Sequence, residues 1–396
     1  MAGSIAPIRG IASPPAPSPA APAAPSLFNP FRFTSSGRSR MRPPAGTPTP
    51  AQGPSRETYT ANNRELPDGE LGKLVRREGQ GPTGDAAVDQ AHENAGLVFD
   101  FYKQVLGRNS LDDRGMKLKS TVHFGSNFNN AYWNGESMTY GDGDGKRFAP
   151  LTAALDVVGH EMTHAVTERT AGLNYSFQSG ALNESFSDVF GELIEQWHEH
   201  PSTFATTDGA KSSDWMIGED VFTPSTDGDA LRSMKAPGTS HPGDPQPGHM
   251  KDFKRMGRFE DNGGVHYNSG IPNRAAYEAA VRVGSEKVAQ IWYRALTSYL
   301  RPTSQFTDAA NATVRAASEL FSSDPDVARA ITDAWTAVGV LGPNAIHIPA
   351  PSGLRGVIAS SGRDPHDHLN PGIVPPWLTS PVPGPAPAPT PAPAQS

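Results

Sequence analysis

Two histidines one helical turn apart, with a glutamate directly after the first, stand in the segment DVVGHEMTHAVTERTAG at residues 156–172. On a helix, His160 and His164 project from the same face and can converge on one metal ion. Zinc suits such a pair of imidazoles. Glu161 points about 100° away around the helix axis, so it cannot complete the ligand set, but it can reach a water on the metal as a general base. An ordinary helix that happens to carry two histidines would have the same spacing.

A catalytic zinc ion needs a third protein ligand and an open coordination position. The segment GALNESFSDVFGELIEQW at residues 180–197 offers Glu184 on a second predicted helix. Asp188 lies four residues further along the same face, where it can accept the ring N–H of a ligand histidine and fix its tautomer. Taken singly, both carboxylates could belong to a solvated acidic face. Their spacing after the histidine motif favours a metal site.

A third histidine stands in the glycine-rich segment DNGGVHYNSG at residues 261–270. We expect a turn here, in which His266 can approach a substrate oxygen closely. Asp261 could hold this histidine protonated, as an electrophile or proton donor. A lone loop histidine is more often only solvated, so this segment by itself does not decide the function.

Hydrophobic periodicity predicts the elements that must carry these residues. Residues 85–106 have a helical pattern, and residues 116–143 contain short β-type runs interrupted by Asn and Gly. Helical spacing dominates the second half of the chain, first in Leu151, Leu155, Val158, Met162 and Ala165, then in Leu182, Phe186, Val189, Leu193 and Trp197. Four more helices are expected between residues 271 and 340, one of them with Ser285 as its N-cap. The N-terminal half of the chain is therefore predicted to be α+β and the C-terminal half to be helical.

Composition narrows the classes of function. The chain has 396 residues and a formal charge of -7 with scattered basic residues, which argues against nucleic acid or an anionic membrane as a main partner. It has no cysteine, so His, Asp and Glu must hold any metal. No apolar run is long enough to span a membrane, and the proline-broken start shows no Sec-type signal. Residues 1–55 and 343–396, rich in Pro, Ala and Ser, are expected to be disordered tails outside the core.

Together and in this order, the motifs resemble the thermolysin-like neutral zinc metallopeptidases, and most closely their protealysin-type short-precursor subgroup. The similarity runs from about Arg56 to Gly342 and includes RNSLDDRGM, NNAYWNGESMTYGDGDG and DNGGVHYNSGI. The resemblance implies a two-lobed α+β fold, with a β-rich N-terminal lobe at residues 56–154 and a helical C-terminal lobe at residues 155–342. The zinc helix would lie between the lobes, beside the substrate cleft.

The resemblance also implies the ligand set and its supports. His160, His164 and Glu184 would bind one catalytic zinc ion. Asp188 and Asn183 would accept hydrogen bonds from the ligand histidines.

The same resemblance assigns the catalytic groups. Glu161 would deprotonate the attacking water and later return the proton to the leaving amine. Tyr175 and His266 would donate hydrogen bonds to the developing oxyanion, with Asp261 beside the histidine.

Substrate-binding positions follow from the resemblance as well. Arg232 would hold the carbonyl of the residue after the scissile bond. Asn130, Ala131 and Trp133 would belong to an edge strand that pairs with an extended peptide. The pocket after the scissile bond would be apolar and lined by Phe148, Leu151, Val157, Ile217 and Leu231. Such a pocket favours cleavage on the amino side of Leu, Phe, Ile or Val, because burying such a side chain is worth about 1.5 to 3 kcal/mol. The five residues could also be plain core residues.

Calcium is the second expected cofactor, with at least one structural ion. The family gathers carboxylates where this chain has Asp156, Glu195, Asp214 and Glu219. Met216 departs from the family pattern, because two-calcium members carry a glutamate there, so one ion is expected in this place. Asp229 is a candidate ligand for another calcium ion. The run GDGDGK at residues 141–146 is expected to be a turn, because it lacks the features of a calcium loop or a phosphate loop.

The segment GIVPPWLT at residues 372–379 has an unexpected position. Relatives in the short-precursor subgroup carry a Pro-Pro followed by an aromatic residue and a leucine in an N-terminal propeptide. We hypothesise that this C-terminal segment folds back to occupy or brace the catalytic lobe. The alternative is a proline-rich tail with one apolar cluster.

The expected function is that of a zinc endopeptidase, made as a zymogen, secreted, monomeric and acting on peptide and protein substrates. Two other classes remain open at this point. One is a protein that binds zinc and peptides without turnover, against which Glu161, His266 and Tyr175 argue. The other is a zinc-stabilised surface protein tethered by its tails. Export without a recognisable signal also leaves an intracellular enzyme open.

Overall fold

A five-stranded sheet forms the front part of the molecule. The computed structural model describes residues 53–67, 69–346, 372–375 and 378. The strands of the sheet are β1 (Arg56–Arg64), β2 (Lys73–Arg77), β3 (Leu118–Phe124), β4 (Ala131–Trp133) and β5 (Met138–Tyr140). They lie in the order β2-β1-β3-β5-β4. The β1–β3 and β3–β5 pairings are parallel and the two outer pairings are antiparallel, so that β4 forms one edge of the sheet.

One long helix packs on this sheet. Helix α1 (Ala86–Gln104) begins after Asp85, whose carboxylate accepts hydrogen bonds from the Ala87 and Val88 amides, as an N-cap aspartate does. Its apolar face contacts β1 and β3. The helix predicted at residues 85–106 is therefore confirmed.

The rest of the described chain is mainly helical. Its helices are α2 (Leu155–Glu168), α3 (Phe177–Glu199), α4 (Thr207–Ser212), α5 (Asp261–Asn268), α6 (Gly270–Val283), α7 (Ser285–Ser298), α8 (Phe306–Leu320) and α9 (Pro325–Ala337). Two short strands, β6 (Met216–Ile217) and β7 (Arg232–Ser233), pair between α4 and α5. The predicted α+β class with a helical C-terminal part is confirmed. Within the described residues, none of these helices combines the length and apolarity that a bilayer crossing requires.

The N-cap prediction at Ser285 is wrong. Gly284 is the N-cap of α7, and Ser285 is its first helical residue. Gly284 has φ of 90°, and an added Cβ would lie 2.5 Å from the carbonyl oxygen of Ala205, so the chain reversal requires glycine there. The Ser285 hydroxyl instead donates to Gln196 Oε1 at 2.7 Å.

The prediction of a turn in GDGDGK agrees with the local geometry. No strand or helix is assigned between residues 141 and 146. Asp144 Oδ1 accepts hydrogen bonds from the amides of Lys146, Arg147 and Phe148. An aspartate that binds its own following backbone in this way fixes a turn.

The expectation that residues 343–396 stay outside the core is wrong for part of that range. Ile373, Val374 and Leu378 are each at most 3 % exposed. They belong to the same buried apolar cluster as the two lobes. The expectations for residues 1–52, 347–371 and 379–396 lie outside the described residues.

Helix α2 is buried on every side, as expected of a helix at the centre of a domain. Every residue from Leu155 to Thr167 is buried. Its closest neighbour is α3, and the two helices meet at a pair of glycines. An ideal Cβ on Gly159 would lie 3.1 Å from Gly191 Cα, and one on Gly191 would lie 2.5 Å from the Asp156 carbonyl oxygen. The close approach of the two helices therefore requires glycine at position 191 and leaves little room for a side chain at position 159.

We predict that Gly191→Ala destabilises the fold by about 1 to 3 kcal/mol, because the added methyl group meets backbone atoms that cannot move aside separately. The free energy of unfolding from urea denaturation measures the effect. Gly81→Ala is the matched control, since a Cβ at Gly81 meets no atom within 4 Å. Equal stability of the two variants would contradict the close packing of α2 on α3.

Candidate active site

Three buried side chains from α2 and α3 converge on one point. His160 Nε2 lies 3.0 Å from His164 Nε2. Glu184 Oε2 lies 3.5 Å from His160 Nε2, and Glu184 Oε1 lies 3.5 Å from His164 Nε2. In a tetrahedral site with bonds of about 2.0 to 2.1 Å, ligand atoms are about 3.3 Å apart. The three predicted ligands therefore form a triangle of the size that a zinc ion requires.

The hydrogen bonds of the two imidazoles indicate that a cation belongs between them. His160 Nδ1 lies 2.7 Å from Asp188 Oδ1, and His164 Nδ1 lies 2.8 Å from Asn183 Oδ1. Both partner atoms are acceptors, so each Nδ1 carries a proton and the two Nε2 atoms face one another. Burial also lowers the pKa of His164 to about 4. Two facing ring nitrogens beside a buried carboxylate form a set of ligand atoms that a cation can bind, so the residues present fit a zinc ion.

Asp188 and Arg232 anchor the base of this site. The guanidinium of Arg232, on β7, donates to both carboxylate oxygens of Asp188 at 2.7 and 3.0 Å. Although burial alone would raise the pKa of Asp188, the adjacent Arg232 and His160 lower it well below its usual range. The carboxylate therefore stays charged in the interior and fixes the ring of His160.

Glu161 lies on α2 beside the three ligands and is fully buried. Its Oε2 accepts a hydrogen bond from the Trp133 amide at 3.1 Å. Burial and the nearby charge of Glu184 raise the pKa of Glu161 well above its usual range. A cation at the site would offset the repulsion from Glu184. A carboxylate with a raised pKa next to the metal position can exchange a proton with water.

His266 and Tyr175 both lie next to Glu184. His266 Nδ1 donates to Asp261 Oδ1 at 2.5 Å, and its backbone N–H donates to Asp261 Oδ2 at 2.8 Å. Burial opposes protonation of the ring, but the charges of Glu184 and Asp261 prevail and raise the pKa of His266 to about 9. Tyr175 Oη lies 3.3 Å from His266 Nε2 and donates to Glu184. The imidazole of His266 and the phenol of Tyr175 thus place two hydrogen-bond donors next to Glu184.

The backbone around His266 differs from the predicted turn. Residues 261–268 form α5, but Asp261, Asn262, Gly263 and Gly264 all have positive φ, so a left-handed turn begins the helix and His266 lies in its regular part. A Cβ on Gly263 would lie 2.3 Å from the ring of Phe177. The turn therefore needs glycine both for its conformation and for its packing against α3.

The amino-acid sequence is similar to those of known metallopeptidases. Residues 47–168 match the family model of the thermolysin metallopeptidase catalytic domain, and residues 171–340 match that of its α-helical domain. The chain is 45% identical over 295 residues to Protease PrtS of Photorhabdus sp. (strain Az29), covering 72% of this chain and 76% of the relative. It is 45% identical over 292 residues to an extracellular metalloprotease of Pectobacterium carotovorum subsp. carotovorum, covering 70% of this chain and 81% of the relative.

A solved structure is similar as well. The precursor of protealysin, a metalloproteinase from Serratia proteamaculans, superposes with a TM-score of 0.68 at 46% identity, covering 73% of this chain and 88% of that one. The chain belongs to the thermolysin-like metallopeptidases. It is a metalloendopeptidase, and the family implies zinc as its catalytic metal.

The metallopeptidase holds the predicted apolar pocket residues in its core. All of these side chains are fully buried, namely Phe148, Leu151, Val157, Ile217 and Leu231. The amide of Leu231 donates to the Ile217 carbonyl at 2.9 Å, which joins two of them directly. Their burial in one cluster fits both readings made from the sequence, a core and a pocket wall.

The edge strand β4 is only partly arranged as predicted. Ala131 and the side chain of Asn130 face a further segment of the chain, described below. The Trp133 amide, in contrast, donates to Glu161 and does not point to a peptide. Its indole N–H donates to Glu168 Oε2 at 3.1 Å. Trp133 therefore positions Glu161 instead of extending the edge.

A second acidic cluster lies one turn before the zinc ligands. Asp156, Glu195 and Glu219 bring carboxylate oxygens within 4.8 Å of one another. Burial and mutual repulsion raise the pKa values of these carboxyls, that of Glu195 to about 12. Asp214, predicted with them, contributes no oxygen to this group, and its side chain accepts a hydrogen bond from the Met216 amide. The charge of Asp214 nevertheless acts on the cluster, where it helps to raise the pKa values of Glu192 and Glu219.

Three residues of the site were missed by sequence reasoning. Asn273, on α6, donates to Asp188 Oδ2 at 2.7 Å. Gln246 donates to the His266 carbonyl at 2.6 Å. Glu192, on α3, is buried beside the acidic cluster, and its Oε2 has no hydrogen-bond partner within the described residues. The four-residue spacing of Glu184, Asp188 and Glu192 was a signal for the last, whereas nothing in the sequence singles out the two amides.

We predict that Asp261→Asn moves the alkaline limb of the pH profile of kcat/KM to lower pH. His266 is the donor in its protonated form, so activity is present below its pKa and is lost as pH rises through that value. Removing the Asp261 charge removes one of the causes that raise this pKa. Peptide hydrolysis between pH 6 and pH 10 measures the shift. Asp333→Asn, exposed on α9, is the control, and an unmoved limb in Asp261→Asn would contradict the role of His266.

Proposed function

We propose that this zinc endopeptidase cleaves extended protein segments on the amino side of Leu, Phe, Ile or Val, with Glu161 as general base. The observation that carries the proposal is the convergence of the ligand triangle, Glu161 and His266 on one buried place. His266 Nε2 lies 3.6 Å from Glu184 Oε2, and Glu161 is the residue after His160 on the same helix. A base and a donor therefore flank the metal position.

The metal would be held by His160, His164 and Glu184. When bound there, zinc supplies a Lewis acid that polarises the scissile carbonyl and makes water more acidic. Glu161 then accepts the proton of the attacking water and returns it to the nitrogen of the leaving amine. The hydrogen bond from the Trp133 amide holds its carboxylate in place for both transfers.

His266 and Tyr175 would stabilise the negative charge that develops on the scissile carbonyl oxygen. His266 is oriented by two hydrogen bonds to Asp261 and held charged by the same carboxylate. His266 is fully buried and held by these hydrogen bonds, so it needs little reorganisation as the charge forms. Arg232 would bind the carbonyl of the substrate residue after the scissile bond, because its Nη1 makes no hydrogen bond to Asp188.

The preference for apolar residues after the cut rests on the five buried side chains around Val157 and Leu231. Their burial supports a pocket wall with no charged group, where an aliphatic or aromatic side chain gains about 1.5 to 3 kcal/mol. A charged side chain there would lose its hydration without a partner.

Calcium is proposed as a structural ion at Asp156, Glu195 and Glu219. Three buried carboxylates within 4.8 Å of one another repel strongly unless a cation or protons neutralise them. Oxygen ligands without nitrogen favour calcium over zinc. Glu192 is the additional carboxylate that could approach the same ion.

Several broader features are also proposed. The lobes comprise residues 56–154 and 155–342, with α2 beginning at the boundary. The relatives from Photorhabdus and Pectobacterium include one described as extracellular, which supports secretion of this enzyme, and the protealysin structure is that of a precursor, which supports a zymogen. The enzyme is expected to act as a monomer on proteins and peptides.

A binding protein without turnover is the function that competes with this proposal. It would keep the ligand triangle and the peptide-binding edge but would not need a base or an oxyanion donor. The buried, hydrogen-bonded Glu161 and the charged His266 favour the enzyme.

We predict that Glu161→Gln lowers kcat/KM for casein or a quenched peptide by about 100-fold to 10,000-fold, as expected for loss of a general acid and base. Zinc content measured by atomic absorption should stay at the wild-type level, because Glu161 is not a ligand. Glu70→Gln, at an exposed position, is the matched control. Retained hydrolysis in Glu161→Gln would refute the mechanism, and no hydrolysis in folded, zinc-loaded wild type would favour the binding protein.

We predict that calcium stabilises the protein through the acidic cluster. At about 100 times its Kd, a bound ion would add about 2.7 kcal/mol to the free energy of unfolding. Urea denaturation at fixed zinc and increasing calcium, in the Glu161→Gln background to prevent autolysis, measures the gain. Adding Glu195→Gln should abolish the calcium dependence, whereas adding Glu70→Gln should preserve it. A gain that survives Glu195→Gln would place the calcium elsewhere.

A further inference from the structure

Another part of the same chain lies along the edge strand beside the active site; we call its described residues, 372–375 and 378, the cleft segment. The amide of Ile373 donates to the Ala131 carbonyl at 3.2 Å, and the amide of Val374 donates to Asn130 Oδ1 at 2.9 Å. Main-chain pairing with an exposed strand is the way in which extended peptides bind to a sheet edge. The cleft segment thus binds to Asn130 and Ala131, two of the residues that were predicted to bind a substrate peptide.

The proposed catalytic groups also contact the cleft segment. His266 Nε2 donates to the Gly372 carbonyl oxygen at 3.1 Å. Arg232 Nη1 donates to the Ile373 carbonyl oxygen at 2.8 Å. The Ile373 amide makes a further hydrogen bond to Glu161. The Gly372–Ile373 peptide bond therefore has its carbonyl at the oxyanion donor and its nitrogen at the general base, which is the arrangement expected of a scissile bond.

The fit of the cleft segment is close. Ile373 is 0 % exposed and belongs to the buried cluster that contains the five pocket residues. A Cβ on Gly372 would lie 2.3 Å from the Ala131 carbonyl oxygen, so only glycine permits this approach of the two backbones. Isoleucine is one of the residues that the apolar pocket is proposed to accept.

The far end of the cleft segment is anchored as well. Arg147 Nη1 donates to the Leu378 carbonyl oxygen at 2.7 Å. The Leu378 amide donates to the Pro375 carbonyl at 2.9 Å, and the Leu378 side chain is buried. Contacts at both ends fix the direction of the cleft segment across the active site.

We propose that the cleft segment is an intramolecular pseudosubstrate, which fills the substrate cleft and keeps the metallopeptidase latent until it is displaced. This inference rests on the proposed function of the same site. Because the occupant is covalently attached, it competes with substrate at an effective concentration on the order of millimolar. An intrinsic affinity of about 1 μM would then leave roughly one molecule in a thousand open.

The test uses the full-length chain with Ile373→Asp, since a carboxylate cannot be buried in the apolar pocket without a partner. We expect kcat/KM for a quenched peptide to rise at least about tenfold over wild type. Ile346→Asp is the matched control, because Ile346 is 37 % exposed and lies outside the cleft. Gly372→Val is a second variant that displaces the segment without adding charge.

A binding measurement complements the rates. A labelled synthetic peptide with the sequence of residues 369–380, LNPGIVPPWLTS, is titrated against full-length Glu161→Gln and against Glu161→Gln with Ile373→Asp, with fluorescence anisotropy as readout. We expect binding only to the second protein, where the cleft is open. The unlabelled peptide should also inhibit Ile373→Asp competitively.

The possible outcomes distinguish failure of the pseudosubstrate proposal from failure of the proposed endopeptidase function. Unchanged or reduced kcat/KM in both Ile373→Asp and Gly372→Val, with no peptide binding, would show that the segment only braces the fold and would overturn the proposal. A cut after Gly372, detected by intact mass together with a rise in activity, would support it. Peptide binding to the open variant without hydrolysis by any variant would leave occupancy in place and refute the proposed function instead.

Discussion

The separation of α2 and α3 is the constraint on which the site depends. His160 and His164 come from one helix and Glu184 from the other, so the packing of α2 on α3 decides whether their nitrogen and oxygen atoms can lie 3.0 to 3.5 Å apart. Gly159 and Gly191 make that packing possible, because any side chain there would meet backbone atoms. The glycines are in neither ligand motif, yet they set the size of the ligand triangle. The metal site is therefore a consequence of helix packing as much as of ligand identity.

A second level of organisation links the metal site to substrate binding through buried charge. Asp188 receives hydrogen bonds from His160, Arg232 and Asn273, so one carboxylate orients a metal ligand and neutralises the guanidinium that holds a peptide carbonyl. Burying a carboxylate and a guanidinium is costly unless each is paired and hydrogen-bonded, and here both conditions are met. Breaking the pair would leave an unpaired charge next to the zinc ligands. The orientation of His160 and the anchoring of the Ile373 carbonyl by Arg232 are thus not independent.

Much of the fold and the site could be predicted from sequence because the signals were local. The helical spacing of His160 and His164, the acidic spacing on α3 and the amphipathic pattern of α1 each depend on residues close in the chain. The predictions failed where distant contacts decide. Trp133 serves Glu161 instead of the strand edge, and Gln246 and Asn273 reach the site from segments without any motif. Composition placed residues 343–396 outside the core, because proline content describes the average of a tail; only the short motif GIVPPWLT suggested that part of it folds back, as Ile373, Val374 and Leu378 do.

The same proline content explains why a short segment can compete for the cleft. The residue before a proline is held in the extended region, and Val374 precedes Pro375, so part of the ordering cost of strand addition is already met by the covalent structure. An edge strand such as β4 presents unpaired backbone groups that will bind any suitable extended chain. A peptidase must leave that strand edge available to substrates, and an open edge can also bind other protein chains. Filling it with Gly372–Val374 satisfies the edge with a partner that cannot diffuse away, and glycine at the close contact with Ala131 gives that partner a backbone approach that most protein segments cannot match.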